Sequence, residues 1–163
     1  MKLSYKEIQS ITDISFLEKN YTNYDFFIRK AIAKNKNCPI HILEKLSNDE
    51  EIIIKISVIT NENCPIEILK KFCSDENFYF GEIIAISSNN IEILNLLANK
   101  GNLNFNLHSL IVQNDNCPFD LLKNIYKKYT LVDENIKANY YFSIKNITNL
   151  ITEHPNWKIK DFT

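Results

Sequence analysis

NCPIEIL, at residues 63–69, is the stretch that decides the fold of this chain, because near-copies of it recur at residues 37–43 and 116–122. The copies at 37 and 63 start 26 residues apart, and those at 63 and 116 start 53 residues apart, close to twice that interval. A fixed period of this length is typical of proteins built from stacked repeats. Each such repeat buries its apolar side against its neighbours. The spacing therefore predicts a repeat architecture.

The pattern of capping and apolar residues within each repeat predicts two short helices. The first begins at the motif, with cysteine, Thr12 or Asn89 expected at the N-cap and proline at the first helical position. A carboxylate three residues after the cap, as at Glu67, adds the pattern of a capping box. The second helix carries apolar residues four positions apart and ends near an asparagine, which tolerates the left-handed conformation that closes a helix. The expected structural repeat positions are Cys38, Pro39, Cys64, Pro65, Cys117, Pro118, Asn35, Asn61, Asn114 and Arg29.

These repeats resemble the leucine-rich repeat variant family, a bacterial class of all-helical solenoids in the HEAT and armadillo style. Residues 61–69 (NENCPIEIL) match the first half of that family's repeat, and residues 28–35 (IRKAIAKN) match the second half. The resemblance covers residues 12–128 and implies an architecture rather than a biochemical activity. The second-helix arginine of the family is kept at Arg29 and becomes Lys55, Gly81 and His108 in later repeats.

The repeats together predict an all-α, right-handed solenoid of about five short helical-hairpin repeats of roughly 26 residues. We expect one domain over residues 1–163, with an N-terminal cap at 1–11, repeats at 12–128, and a divergent C-terminal repeat and cap at 129–163. Aromatic residues near the C-terminus suit a terminal repeat that covers the last hydrophobic surface. They are Tyr126, Tyr129, Tyr140, Tyr141, Phe142 and Trp157.

Composition argues against several classes of partner. The chain has 163 residues and a net charge of -1, so no global field attracts nucleic acid or an acidic membrane. Residues 1–13 are polar and mixed in charge, which is not the pattern of a secretory signal. No apolar run approaches the ~20 residues of a membrane span. We therefore expect a cytoplasmic protein with no membrane partner.

No motif for catalysis, metal binding or cofactor binding is present. Cys38, Cys64 and Cys117 hold equivalent repeat positions, and helices of adjacent repeats pack about 10 Å apart. That spacing is too wide for a disulfide or a shared zinc ion. The three histidines are far apart in sequence, and two glycines cannot build a phosphate-binding loop. We therefore predict a non-catalytic protein without metal or cofactor, and buried thiols.

A row of large apolar residues on the second helices is the candidate partner-binding site. Phe27, Ile53 and Tyr79 each precede a core position and should point about 100° away from it. Exposed apolar groups commonly mark interfaces, and aromatic residues are frequent among their hot spots. Lys30 and Glu82, with Lys34 and Gln113, are expected to form the polar rim. The alternative is that these short helices are buried nearly all round, which makes the row part of the core.

The predicted function is binding of another protein, for example by a small inhibitor, immunity factor or adaptor that acts as a monomer or weak homodimer. The competing hypothesis is a HEAT-like nucleic-acid-binding protein or DNA-modifying enzyme, for which Arg29, Lys55 and His108 are the nearest basic row. These cations have a structural alternative as well. They can bond turn carbonyls or acidic turn residues such as Asp49 and Asp75.

Overall fold

The computed structural model is all-helical within the residues that it describes, which are 3–74, 78–100, 104–131 and 134–157. Eleven α-helices and no strand are found in this part of the chain. The expected all-α class is thereby confirmed. Asp75 and the side chains of Tyr140, Tyr141 and Phe142 lie outside the described part. The chain divides into two compact units, at residues 1–74 and 75–163.

The first unit contains six helices, of which α1, α3 and α5 stack side by side. Helices α2 and α4 pack against α3, and α4 also packs against α5. The expected N-terminal cap therefore contains a helix, α1, that lies on α3 as α3 lies on α5. The six helices are α1 (Tyr5–Ser10), α2 (Ile14–Asn20), α3 (Phe26–Ala33), α4 (Ile40–Leu46), α5 (Ile52–Ile59) and α6 (Ile66–Cys73).

The second unit contains five helices, and α9 lies between α7 and α11 in the same side-by-side manner. Helix α8 packs on α7 and α9, and α10 packs on α11. Trp157 closes this unit with its ring 5.2 Å from that of Tyr126 and 5.5 Å from that of Phe119. The five helices are α7 (Tyr79–Ser87), α8 (Ile91–Ala98), α9 (Phe105–Val112), α10 (Phe119–Thr130) and α11 (Glu134–Glu153).

The core of each unit follows the predicted apolar positions. Ile32 and Val58 of the first unit, and Ile84 and Ile111 of the second, are fully buried. Burying such a side chain contributes about 1.5–3 kcal/mol. Most of these helices span only six to nine residues, and isolated helices of that length are marginal in water. Side-by-side packing is therefore what holds them.

The first helices begin one residue later than expected. Their N-cap residues are Pro39, Pro65 and Pro118, in extended conformations and without a side-chain cap bond. The cysteines at the predicted N-cap lie one residue before, where each N–H closes a turn onto an asparagine carbonyl at 2.8–3.0 Å. That turn is followed by an extended proline. Because the N-cap is shifted by one residue, the residue three positions after it is apolar, and the predicted capping box is absent from these three helices. Asp13 and Asn90, rather than Thr12 and Asn89, cap α2 and α8.

Candidate functional site

The predicted apolar row is exposed. In the first unit Phe27 on α3 is 57% exposed and Ile53 on the neighbouring α5 is 36% exposed. In the second unit Tyr79, the first residue of α7, is 46% exposed. The following residue of α5, Ile54, is fully buried, which is the separation that a 100° step round a helix produces. The alternative that these three side chains are core is therefore wrong.

The expected rim residues are held within their own units. Lys30 is half-buried, and its ammonium lies 5.7 Å from the ring centroid of Tyr5. Glu82 accepts a hydrogen bond from the side-chain amide of Asn106, which occupies the apolar-row position on α9. Lys34 and Gln113 are exposed. Aromatic contact and hydrogen bonding thus limit the freedom of Lys30 and Glu82, so each lies in a defined place beside the row.

Arg29 is bonded on every nitrogen of its guanidinium group. Its Nε and Nη2 donate to the two carboxylate oxygens of Asp49 at 2.7 and 3.1 Å. Its Nη1 donates to the carbonyls of Asn23, at 2.7 Å, and Tyr24, at 3.2 Å. Burial opposes ionisation of Asp49, but the bonds from Arg29 and from the Glu51 N–H outweigh it and hold the pKa of Asp49 below its usual value. The expected structural contact between Arg29 and Asp49 is therefore present.

The other residues of the Arg29 row differ in environment. Lys55 is half-buried and lies close enough to Asp49 to help lower the pKa of that carboxyl. Its second expected partner, Asp75, lies outside the described residues. Gly81 is buried, and a Cβ atom there would lie 3.3 Å from Leu97 Cδ2, closer than ordinary packing allows. Glycine therefore suits the close approach of α7 to α8, since a larger residue would require Leu97 to shift.

His108, at the same repeat position, is fully buried and bonded through both ring nitrogens. Its Nδ1 lies 2.6 Å from the Tyr129 hydroxyl, and its Nε2 lies 2.8 Å from the Ala98 carbonyl. Lys128 donates to the same carbonyl at 2.7 Å. Burial lowers the pKa of His108, the Ala98 bond opposes that change, and the charge of Lys128 adds to it. The neutral ring therefore donates from Nε2 and accepts at Nδ1.

We expect this histidine to make stability fall as the solution is acidified. A lowered folded pKa means that the unfolded chain, with a value near 6.5, binds the proton first. The contribution of neutral His108 to the free energy of unfolding is therefore complete above about pH 6.5 and decreases below it. The free energy of unfolding should change by at most about 1.4 kcal/mol per pH unit from this group. Urea unfolding between pH 7.5 and 5.5 measures the slope. His108→Gln should flatten it, and an unchanged slope in that variant would contradict the assignment.

A ladder of asparagine side chains connects successive repeats, and sequence analysis missed this role. Asn61 is buried, and its amide nitrogen donates to the carbonyls of Ala33 and Asn35 at 2.7 and 3.0 Å. Its Oδ1 accepts from the Asn63 N–H at 2.8 Å, which closes the turn into the next first helix. The same bonds recur at Asn35 (to Ile8, Ile11 and Asn37) and at Asn114 (to Ala85, Ile86, Ser88 and Asn116).

His154 is the last rung of this ladder in the described chain. Its Nδ1 accepts from the Asn156 N–H at 3.1 Å, as each ladder asparagine accepts from the residue two positions on. Its Nε2 lies 3.2 Å from the Asn114 carbonyl, the place where the next asparagine amide would donate. The Trp157 N–H then bonds the His154 carbonyl at 2.8 Å, as the cysteine N–H does in the motif. His154-Pro155-Asn156-Trp157 is therefore a structural copy of the asparagine turn.

The motif cysteines are packing residues. Cys38 and Cys117 are buried and Cys64 is half-buried, and all three are free thiols. Burial raises the pKa of each of these thiols to about 12, so the reactive thiolate is scarce at neutral pH. Cys73, at the end of α6, is buried as well. Within the described ranges no group of three or more potential metal ligands comes together.

An open cavity of about 500 Å³ lies in the first unit between the turn at residues 21–24 and the turn at residues 48–50. Tyr24, Arg29, Lys45 and Glu50 are among its lining residues. The Arg29–Asp49 pair forms part of its wall and fixes the two turns relative to each other. Tyr24, one of the lining residues, is 97% exposed, so its ring is accessible from solvent beside the cavity.

Comparison with known proteins supplies no relative for this chain: no family model matches it, and neither curated proteins nor solved structures match it. Its resemblance to the leucine-rich repeat variant family therefore rests on the quoted repeats alone. Among the described helices, none combines the length and the apolar character that crossing a bilayer requires.

Proposed function

We propose that this chain is a non-catalytic protein-binding repeat module, built as a right-handed solenoid of about five helical hairpins of the leucine-rich repeat variant kind. The observation that carries the proposal is the exposure of Phe27 and Ile53 on adjacent helices of a packed frame. Exposed aromatic and aliphatic groups of this kind are typical anchors of protein interfaces. In the second unit, Tyr79 on α7 is exposed as well.

Hydrogen bonds at both ends of α3 and α5 hold the helices that carry Phe27 and Ile53. Asn61 joins the turn after α5 to the turn after α3. Asn35 joins the turn after α3 to the end of α1. The Arg29–Asp49 pair joins the turn before α3 to the turn before α5. A surface that is ordered before binding loses less conformational entropy on association, so a small number of anchors is sufficient for useful affinity.

The expected biological role is that of a small cytoplasmic inhibitor, immunity factor or adaptor, acting as a monomer or weak homodimer. A nucleic-acid-binding role has less support, because Arg29 is bonded to Asp49 and two carbonyls and His108 is buried. Neither side chain therefore has donors free at the surface to contact a phosphate. Affinity capture from host lysate with nuclease-treated controls tests the choice. Recovery of nucleic acid, or loss of the captured protein after nuclease, would contradict our proposal.

Serine substitutions in the row are expected to abolish capture while leaving the fold intact. Phe27→Ser and Ile53→Ser remove partly exposed apolar side chains, so each should lower the free energy of unfolding by about 1–2 kcal/mol, less than the loss of a fully buried one. Capture of the partner should fall at least tenfold, since anchors of this type commonly contribute 2 kcal/mol or more. Circular dichroism, thermal unfolding and quantitative capture measure the two effects.

Ile40→Ser is the matched control, because Ile40 is 55% exposed in the same unit but lies on a first helix. It should leave capture unchanged. Loss of capture in Ile40→Ser as well, or full capture by both row variants, would remove the row as the site. Unfolding of the row variants would show that they act through stability.

A further inference from the structure

Exposed apolar side chains concentrate at the N-terminal ends of α3 and α5 in the first unit. Tyr24 and Phe27 lie at the start of α3, and Ile52 and Ile53 are the first two residues of α5. Tyr24 is 97% exposed and Ile52 is 54% exposed, which adds to the exposure of the row residues. Helices α3 and α5 pack together, and Arg29 links the turn before α3 to the turn before α5, so the two N-terminal ends form one border of the unit.

The carboxylates of Glu50 and Glu51 lie on the same border. Both residues are exposed, and Glu51 is the N-cap of α5 without a side-chain cap bond. Asp25, the N-cap of α3, accepts from the Phe27 N–H at 2.9 Å. Arg29, the one arginine of the sequence, directs its hydrogen bonds to Asp49 and to the carbonyls of Asn23 and Tyr24, and its charge also interacts with Glu50 and Glu51. Exposed apolar and acidic side chains therefore occur together on this border. We call Tyr24, Phe27, Glu50, Glu51, Ile52 and Ile53 the acidic apolar edge.

The 500 Å³ cavity opens beside this edge, since Tyr24 and Glu50 belong to both. Its size is within the range of pockets that accept a large side chain. A lysine or arginine that enters can lay its hydrocarbon stem on the Tyr24 ring and bring its charge to Glu50. Arg29 and Lys45 also line the cavity and carry the same charge as the entering cation. Arg29 is paired with Asp49, so the Glu50 side, away from Lys45, is the favourable one for a further cation.

We propose that the acidic apolar edge binds a segment of a partner protein in which aromatic or aliphatic residues are flanked by lysine or arginine. This inference rests on the proposed protein-binding function and specifies the partner's chemistry. The apolar residues of the segment cover Phe27, Ile52 and Ile53, and its cations face Glu50 and Glu51. Complementary charge speeds association and selects the partner. The same carboxylates repel phosphate groups, so nucleic acid and acidic lipid are disfavoured at this edge.

Selection from a displayed random-peptide library with the full chain as bait tests the proposal. Enriched peptides should carry lysine or arginine next to aromatic or aliphatic residues. One such peptide is then synthesised together with a version in which each lysine and arginine is replaced by glutamate. The charge-reversed peptide should bind at least tenfold more weakly in a fluorescence-anisotropy titration. Raising the salt concentration should weaken the first peptide, as expected for exposed charges.

Variants of the chain locate the binding. The double variant Glu50→Gln, Glu51→Gln should weaken the selected peptide about fivefold or more, and Ile53→Ser at least tenfold. Glu67→Gln and Ile40→Ser are matched controls, since both residues are exposed in the same unit but lie on first helices. They should leave the affinity unchanged. Circular dichroism of each variant confirms that the chain is folded.

Several outcomes would overturn the inference. Enrichment of acidic or uncharged peptides would do so, as would equal binding of the charge-reversed peptide or full affinity in the Glu50, Glu51 variant. In those cases loss of binding in Phe27→Ser or Tyr79→Ser would still support a protein-binding module with another partner chemistry. Failure to enrich any peptide over bait-free beads counts against the inference, and failure of lysate capture as well counts against the proposed function itself.

Discussion

Asn61→Ala is expected to lower the free energy of unfolding by about 3 kcal/mol. We expect this to be among the largest effects of replacing one buried polar residue in the first unit. The substitution removes both hydrogen bonds to the carbonyls of Ala33 and Asn35 and the acceptor for the Asn63 N–H. Each buried polar group left without a partner costs about 1–3 kcal/mol. A domain of this kind is stable by about 5–15 kcal/mol, so the variant should remain folded but melt well below the parent.

Two further variants separate the ladder from general effects of losing an asparagine. Asn63→Ala removes one exposed bond to the Lys36 carbonyl and should cost less than about 1 kcal/mol. Asn61→Ser should cost less than Asn61→Ala. Ser88 occupies the ladder position of its own repeat, and its hydroxyl accepts from the Asn90 N–H at 3.1 Å, so a serine can replace one of the asparagine's bonds. Urea unfolding followed by circular dichroism measures all three. Equal costs for Asn61→Ala and Asn63→Ala would show that the inter-repeat bonds contribute little.

Arg29→Ala is expected to cost about 2–4 kcal/mol at pH 7. The side chains of Arg29 and Asp49 are 16% and 10% exposed, so removing the arginine leaves a largely buried carboxylate without its bidentate partner. Breaking a buried ion pair by deleting one member typically costs about 3–5 kcal/mol, and the residual exposure here reduces that figure. The carbonyls of Asn23 and Tyr24 lose their donor as well.

Arg29→Lys tests whether geometry or charge matters at this position. An ammonium cannot fork across both carboxylate oxygens and two carbonyls at once, so we expect it to restore less than half of the loss. A double-mutant cycle with Asp49→Asn isolates the coupling between the two side chains. Full recovery in Arg29→Lys would show that charge alone suffices. A coupling energy near zero would show that the loss comes from the turn carbonyls or from packing.

The expected contact between Arg29 and Asp49 is present. The repeated asparagines were predicted to end helices, whereas their side chains bond the neighbouring repeat. Repetition of Asn35, Asn61 and Asn114 is visible in sequence, and a helix-ending conformation is the local explanation that sequence offers. The actual partners of Asn61 are carbonyls 26 and 28 residues earlier. They come within reach only when one repeat is stacked on another. His154 escaped detection for the same reason, because nothing local relates a histidine to an asparagine.

What the amino-acid order by itself determined is the period, the helical class and the buried positions within each unit, at Ile32 and Val58 in the first and at Ile84 and Ile111 in the second. These follow from spacing along one helix, which is a local property. Only the tertiary structure decided that the apolar row lies exposed, that proline rather than cysteine is the N-cap, and that Arg29 takes the structural alternative and bonds Asp49. Exposure and hydrogen-bond partners depend on which surfaces meet, and that is a property of packed helices rather than of any one of them.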